Sequence, residues 1–318
     1  MFETKFIRDA IDRSAETALD RRKLLTLAGL AGAGAGAAIL TTGTPALAAT
    51  GSSGPSDASI LNFALNLEYL EAEFYLRAVT GEGLPDSMTT GKGSHGGVSG
   101  GRKVPFKTPA IRNYAREIAS DEKSHVEFLR SALGTAKVAR PSISLNASFT
   151  AAATAAGLIK KGATFDPYAN EVNFLLAAFI FEDVGVTAYK GAAPFISNKT
   201  YLDAAAGILA VEAYHAGIIR TTLYAEGIQA PSLYAAVKKI SNVRDSVDGR
   251  SDDDQGIGNR GVANLVPTDS NGLAYGRSAA QVLNVVYLTS EAASRGGFFP
   301  HGVNGTIHTS GDFDYDGD

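Results

Sequence analysis

Two histidines in this chain each stand one helical turn after a glutamate: Glu122 and His125 in "SDEKSHVEF", and Glu212 and His215 in "VEAYHAG". At a spacing of three, both side chains of a pair share a helix face, so each pair can offer a carboxylate and an imidazole to one cation. A single Glu-x-x-His arises by chance in any charged helix; two of them, with matching glutamates elsewhere, form a pattern. Glu68 and Glu182 supply the match, each followed seven residues on by a tyrosine, Tyr75 and Tyr189. Seven residues are two turns, which puts each Glu and its Tyr on one face.

Two metal ions held close together need anionic oxygens shared between them to offset their repulsion. Glu122 and Glu212 are placed to bridge, Glu68 and Glu182 to close one ion each, and His125 and His215 to add one neutral nitrogen at opposite ends. Four carboxylates with two imidazoles suit two Fe or Mn ions better than zinc, whose sites are more often closed and tetrahedral. Glu182 sharpens the case. It lies inside "LLAAFIFEDVGVTAY" with no Lys or Arg within seven residues on either side, and a lone buried carboxylate costs several kcal/mol, on the order of what only a cation beside it offsets. Glu71, one turn after Glu68, competes with it for the ligand place on that helix; Glu73 points elsewhere, and Asp183 is a capping or supporting group. Tyr75 and Tyr189 read equally well as core tyrosines or as redox-active groups behind the ligands.

These residues must be carried by helices. An unbroken helical beat covers 59–79, and a Gly-rich loop with Pro85 and Pro105 follows to about 108. Thr108 is placed to cap a second helix, with Pro109 at its first position, ending at Leu133 before Gly134. A short Ala-rich helix is expected near 148–157. A third long helix over about 168–190 is apolar on nearly every side, as a central buried helix is, and a fourth runs from about 199 to 226, stopped by Gly227. Strand signals are nearly absent, so the fold class is all-α: a four-helix bundle of two pairs joined by a long crossover. Glu-x6-Tyr on helices one and three, and Glu-x2-His on helices two and four, repeat one pattern twice, as approximate two-fold symmetry requires. Further helices near 231–243 and 278–293 and a Gly-rich tail make a C-terminal helical and loop extension.

Composition narrows the function. The 318 residues are 45% hydrophobic and 19% charged, with a formal net charge of −4; no basic stripe exists outside the N-terminus to bind nucleic acid. There is no cysteine, which excludes thiolate catalysis, Fe–S clusters and Cys-bound zinc. Only His95, His125, His215, His301 and His308 can give nitrogen ligands, and His95, His301 and His308 sit in Gly-rich loops. The stretch "GKGSHGGVSGG" lacks the ending and preceding strand of a phosphate loop. The terminal "DFDYDGD" opens like a calcium loop, at Asp312, Asp314, Asp316 and Gly317, but has no twelfth-position glutamate and reads as an acidic tail.

The N-terminal segment is expected to be a signal peptide, 1–48. Arg21-Arg22 precede a weakly hydrophobic Ala/Gly stretch, and Ala46-Leu47-Ala48 is a small-x-small cleavage site. The paired arginines favour the twin-arginine (Tat) type, which exports folded proteins, and place the mature chain in the periplasm or outside the cell with no stable membrane insertion after cleavage. A linker over 49–58, the bundle over 59–228 and the extension over 229–318 complete the expected organisation.

At "ILNFALNLEYLEAEFY", "REIASDEKSHVEFLRSALG", "FEDVGVTAYKGAAP" and "QVLNVVYL" with "GGFFPHGVNG", the chain resembles exported ferritin-like domain proteins related to the desiccation-related family of the ferritin-like superfamily, over about 59–310. The resemblance implies that Glu68, Glu122, His125, Glu182, Glu212 and His215 match di-iron or di-manganese ligands of ferritins, rubrerythrin-like proteins and manganese catalases. The family itself implies an association with stress tolerance and no agreed reaction; two metals held by this ligand set suit redox chemistry on peroxide or oxygen, with a non-catalytic metal-binding or structural desiccation-stress role as the alternative. The long loop after the first helix and the C-terminal extension depart from ferritin and argue against a ferritin-type cage; a smaller oligomer stays open.

Overall fold

The computed structural model describes residues 54–249 and 253–312. The expected signal peptide, the first half of the linker (49–53), and Asp314, Asp316 and Gly317 of the acidic tail lie outside the described residues. Within them, four long helices arise where the helical beat was read: α1 (Asp57–Thr80), α2 (Pro109–Leu133), α4 (Glu171–Ala192) and α5 (Lys199–Gln229). A short α3 (Ala147–Ala155) lies in the crossover, and α6 (Ser232–Asp248) and α7 (Ala279–Tyr287) belong to the extension. Packing pairs α1 with α2 and α4 with α5, and the pairs meet through α1–α4 and α2–α5. The fold is an all-α four-helix bundle.

Local chemistry sets the ends. Ser56 accepts from the Ser59 amide at 3.2 Å to open α1, and Gly81, at φ 94°, closes it in the left-handed region that glycine enters freely. Asn198 accepts from the amides of Thr200 and Tyr201 to open α5. Thr108 occupies the cap position of α2, yet its side chain does not cap it. Its hydroxyl donates to Glu171 Oε1 at 2.7 Å, while Glu171 Oε2 accepts from the amides of Lys107 and Thr108 at 2.9 Å. One carboxylate therefore ties the start of α2 to the start of α4. The third long helix begins at Glu171 rather than 168, because Asn170 is extended and caps it through the Asn173 amide. Gly227 does not stop α5, which continues to Gln229; a side chain there would meet the Tyr234 ring at 2.8 Å.

The last helix is shorter than the 278–293 expectation. It ends at Tyr287, and Leu288 takes a left-handed conformation with φ 57°. Asn284, fully buried, turns the chain there: its amide group donates to the carbonyls of Thr289 and Gly311, and its oxygen accepts from the Gly311 amide. Among the described residues the strand content is two small ribbons, β1 (Val98–Ser99) parallel to β2 (Ile143–Ser144), and β3 (Gly258–Asn259) antiparallel to β4 (Val262–Ala263). The loop that superficially resembled a phosphate cradle packs on the crossover instead: a Cβ on Gly96 would lie 2.2 Å from the Ser142 amide nitrogen.

The aromatic core centres on Phe74 of α1, which stacks on Phe174 and meets Tyr75, Phe149, Tyr168 and Phe181. Phe181 in turn meets Phe298 of the extension. The segments Glu171–Phe195 and Lys199–Gln229 are long and apolar enough by composition to cross a bilayer; 83% of that stretch of the first is buried in the protein, and 33% of the second.

Candidate metal centre

Each long helix delivers its share to one point between the four. Glu68, Glu122, Glu182 and Glu212 are essentially fully buried, with His125 and His215 close behind. They form two groups, Glu68–Glu122–His125–Glu212 and Glu122–Glu182–Glu212–His215, each with one ligand atom per residue within 4.8 Å of the others. Glu122 and Glu212 belong to both. All six residues read from the sequence are brought together, and the shared pair is the expected bridging pair.

The distances show the division. His125 Nδ1 lies 3.2 Å from Glu68 Oε2 and 3.7 Å from both Glu122 Oε2 and Glu212 Oε1. His215 Nδ1 lies 3.0 Å from Glu122 Oε1 and 3.5 Å from Glu182 Oε2. Glu122 thus turns one oxygen toward each histidine, and the two rings stand 6.3 Å apart between centroids. Of the helix-one candidates, Glu68 is the one that joins a candidate ligand group. Glu71 is in neither group, and Glu73 pairs with Arg77 at 3.0 Å and with Arg140.

The tyrosines cross-link the halves. Tyr75 of α1 donates to Glu182 of α4, and Tyr189 of α4 donates to Glu68 of α1. Each terminal carboxylate is held by the tyrosine of the opposite helix, so both tyrosines act as supports behind the ligands. Burial, then the facing carboxylate, keeps both phenols well above their ordinary pKa.

Electrostatics mark the cluster as a receptor for cations. Burial pushes Glu68 up to about 7 against the pull of His125, and it raises Glu182 and, further, Glu212. Glu122 goes the other way: burial opposes it, but His125 and His215 together hold it down near about 2. Burial alone would depress the histidines; facing carboxylates raise His125 to about 10 and His215 to about 12.

Whether a metal pair fits is decided by the polar atoms left over. Both oxygens of Glu122 and of Glu212, Glu182 Oε2 and His215 Nδ1 are buried with no hydrogen-bond partner among the described residues. Buried polar atoms are nearly always satisfied, and here six unsatisfied ones converge with lone pairs inward. Carboxylate oxygens and imidazole nitrogens in this ratio are donors for Fe or Mn. The residues fit the group.

Sequence reasoning missed two contributors. Asp121 of α2 reaches His215 Nε2 at 3.1 Å and orients that ring; it was hidden among the alternating charges of an exposed helix face. Gly185 of α4 leaves room for a ligand, since a Cβ there would sit 2.2 Å from Glu212 Oε2. The signal for it was a glycine in mid-helix, which costs about 1 kcal/mol relative to alanine and so has a packing reason. Asp183 is not part of the centre; it accepts from Arg220 at 2.7 Å and Arg244 at 2.9 Å. His95 meets Thr89 Oγ1 at 2.9 Å, away from the ligands.

Comparison with known proteins agrees with this geometry. The family model described as "Ferritin-like domain" matches residues 56–225. The desiccation-related protein PCC13-62 of Craterostigma plantagineum is 32% identical over 267 residues, covering 79% of this chain and 83% of that protein. The ferritin-like catalase Nec2 of Nesocodon mauritianus is 28% identical over 266 residues, covering 79% of this chain and 85% of its own. No solved structure matches.

Proposed function

The chain belongs to the ferritin-like domain family, and from that premise we propose that it is an exported di-metal carboxylate protein that acts on peroxide or dioxygen with two Fe or Mn ions. The observation that carries the proposal is the set of unsatisfied buried atoms on Glu122, Glu182, Glu212 and His215, shared between two ligand groups. A pair of such ions would supply a two-electron couple able to disproportionate peroxide or reduce oxygen. Glu122 and Glu212 would hold both ions, Glu68 with His125 one, and Glu182 with His215 the other. Tyr75 and Tyr189 fix the terminal carboxylates, Asp121 fixes the His215 ring, and the packed helices keep bulk water off the cluster. The similarity to a protein named a ferritin-like catalase supports the peroxide reading. Paired arginines ahead of the Ala/Gly stretch support export after folding, which suits a centre loaded before transport.

The test is elemental analysis of the protein from its native compartment, followed by peroxide and oxygen-uptake assays of Fe- and Mn-loaded protein. Turnover with either metal is expected; inactivity of both forms in both assays overturns the redox reading. A second reading, a desiccation-stress protein whose metal serves folding, is supported by the similarity to PCC13-62. It expects a large loss of thermal stability on chelation with no assay responding.

A further inference from the structure

The two halves of the bundle repeat each other at Glu68 and Glu182 and again at Tyr75 and Tyr189, but the repeat fails one turn after each glutamate. There α4 has Gly185 and α1 has Glu71. Glu71 is buried, 6% exposed, and belongs to neither ligand group. Its carboxyl makes no hydrogen bond or ion pair with any described residue.

Glu71 stands beside the cluster, close enough to feel the charge of Glu122 and Glu182, and it also lines a cavity. A small chamber of about 20 Å³ lies between α1, α4 and α7, walled by Leu67, Leu70, Phe181, Val184 and Val285, with Glu71 as its one polar side chain. Gly185 also lines it, and Gly185 is the residue against whose backbone the Glu212 carboxylate rests. The chamber therefore ends behind a bridging carboxylate. A second small cavity, of about 20 Å³ and lined mostly by apolar side chains, lies beneath α3 and α6 and shares Ile180 and Val285 with it. Apolar walls repel ions, which would have to shed their hydration shells to enter; a small neutral molecule has no such cost and can use one carboxyl for a hydrogen bond. The extension is what makes the chamber, since Val285, Val286 and Phe298 close its outer side.

We propose that this chamber admits a small neutral oxygen species, dioxygen or hydrogen peroxide, to the metal centre, with Glu71 as the single hydrogen-bonding anchor for peroxide. The assignment rests on the redox reading of the centre. It explains why α1 keeps a carboxylate that neither ligates nor pairs, and why α7 and Phe298 are laid over this side of the bundle.

Two measurements on metal-loaded protein test it. Crystals held under xenon, which occupies apolar cavities, are expected to show xenon in the chamber, and Val285→Phe is expected to remove it. Metal content in Val285→Phe should stay at the wild-type level while kcat/KM for peroxide or oxygen falls. Glu71→Leu should keep both xenon and metal but raise KM for peroxide about tenfold, the factor for one hydrogen bond of about 1.4 kcal/mol, and Glu71→Gln should restore most of it. If Val285→Phe does not fold, wild-type xenon occupancy and the Glu71 pair still decide. An active wild type with no xenon in the chamber, or Glu71→Leu with unchanged KM, overturns this inference alone; a wild type inert to peroxide and oxygen overturns the redox reading and the oxygen assignment with it.

Discussion

Glu122 is the residue on which both halves of the centre depend, since it presents Oε2 to His125 and Oε1 to His215. Replacing Glu122 or Glu212 with Ala removes a shared oxygen pair, so metal analysis should find both ions weakened. Glu68→Ala should weaken chiefly one. Equal losses in all three variants would count against bridging. The histidines are not equivalent: His215 has Asp121 behind it at 3.1 Å, and the corresponding residue before Glu212 is Val211. A supporting carboxylate of this kind is typically worth about 10- to 100-fold in metal affinity. Asp121→Asn should therefore lower affinity at the His215 end by about that factor and leave the other end intact, read as a split between two binding constants in a metal titration. Protons compete with the metal at the same atoms. Facing carboxylates raise His125 to about 10 and His215 to about 12, and burial keeps Glu68 near about 7 and Glu212 well above the ordinary range. At neutral pH both metal-free histidines thus carry a proton while Glu122 stays ionised, so loading must expel protons and apparent affinity must rise with pH. Titrations in buffers of different ionisation enthalpy should show net proton release; a proton-neutral reaction would contradict these assignments.

Helices carried most of the legible information. Spacings of three and seven translate directly into faces, so a sequence with Glu-x-x-His twice and Glu-x6-Tyr twice states which side of each helix points inward before any packing is known. What stayed illegible depends on close approach between helices. Spacing alone could not separate Glu68 from Glu71, because both fall on the inward side of α1; the tertiary placement of Tyr189 and His125 beside Glu68 favours Glu68. Nor could spacing show that each tyrosine supports the opposite helix's glutamate. Gly185 is the sharpest case. A glycine inside a helix normally weakens it, and Gly185→Ala should raise intrinsic helix stability by about 1 kcal/mol. Yet the new methyl group would stand 2.2 Å from Glu212 Oε2, and the flexible carboxylate must swing out of its bridging position to relieve the overlap. The expected outcome is opposed signs: metal-free protein that is as stable as the parent or more so, with markedly reduced metal content. Calorimetry of both forms with elemental analysis checks it, and full metal content in the variant would show that Gly185 is not needed for Glu212.

At the scale of the molecule, the extension is joined to the bundle by buried charge. Asp183 of α4 holds Arg220 of α5 at 2.7 Å and Arg244 of α6 at 2.9 Å; Arg244 also meets Asp254 at 2.6 Å, and Arg277 spans Asp254 and Asp248. Most of these partners lie more than twenty residues apart in sequence, and no local spacing announces them. Arg220 and Arg277 are essentially fully buried, so each guanidinium requires its carboxylates: removing one partner of a buried pair costs about 3–5 kcal/mol, far more than a surface pair is worth. Asp183 is also the neighbour of Glu182, so the network that anchors the extension fixes the backbone that aims a ligand. Stability of the extension and occupancy of the metal centre should then be linked. Asp254→Ala, which touches no ligand, is expected to lower the denaturation midpoint by an amount corresponding to about 3–5 kcal/mol, and chelation to lower it further in both parent and variant. Because the network crosses the boundary between bundle and extension, unfolding followed by helical circular dichroism should remain one cooperative transition throughout. Two separated transitions in Asp254→Ala, with the metal lost only in the second, would mean that the extension is attached to the bundle without helping to hold the centre.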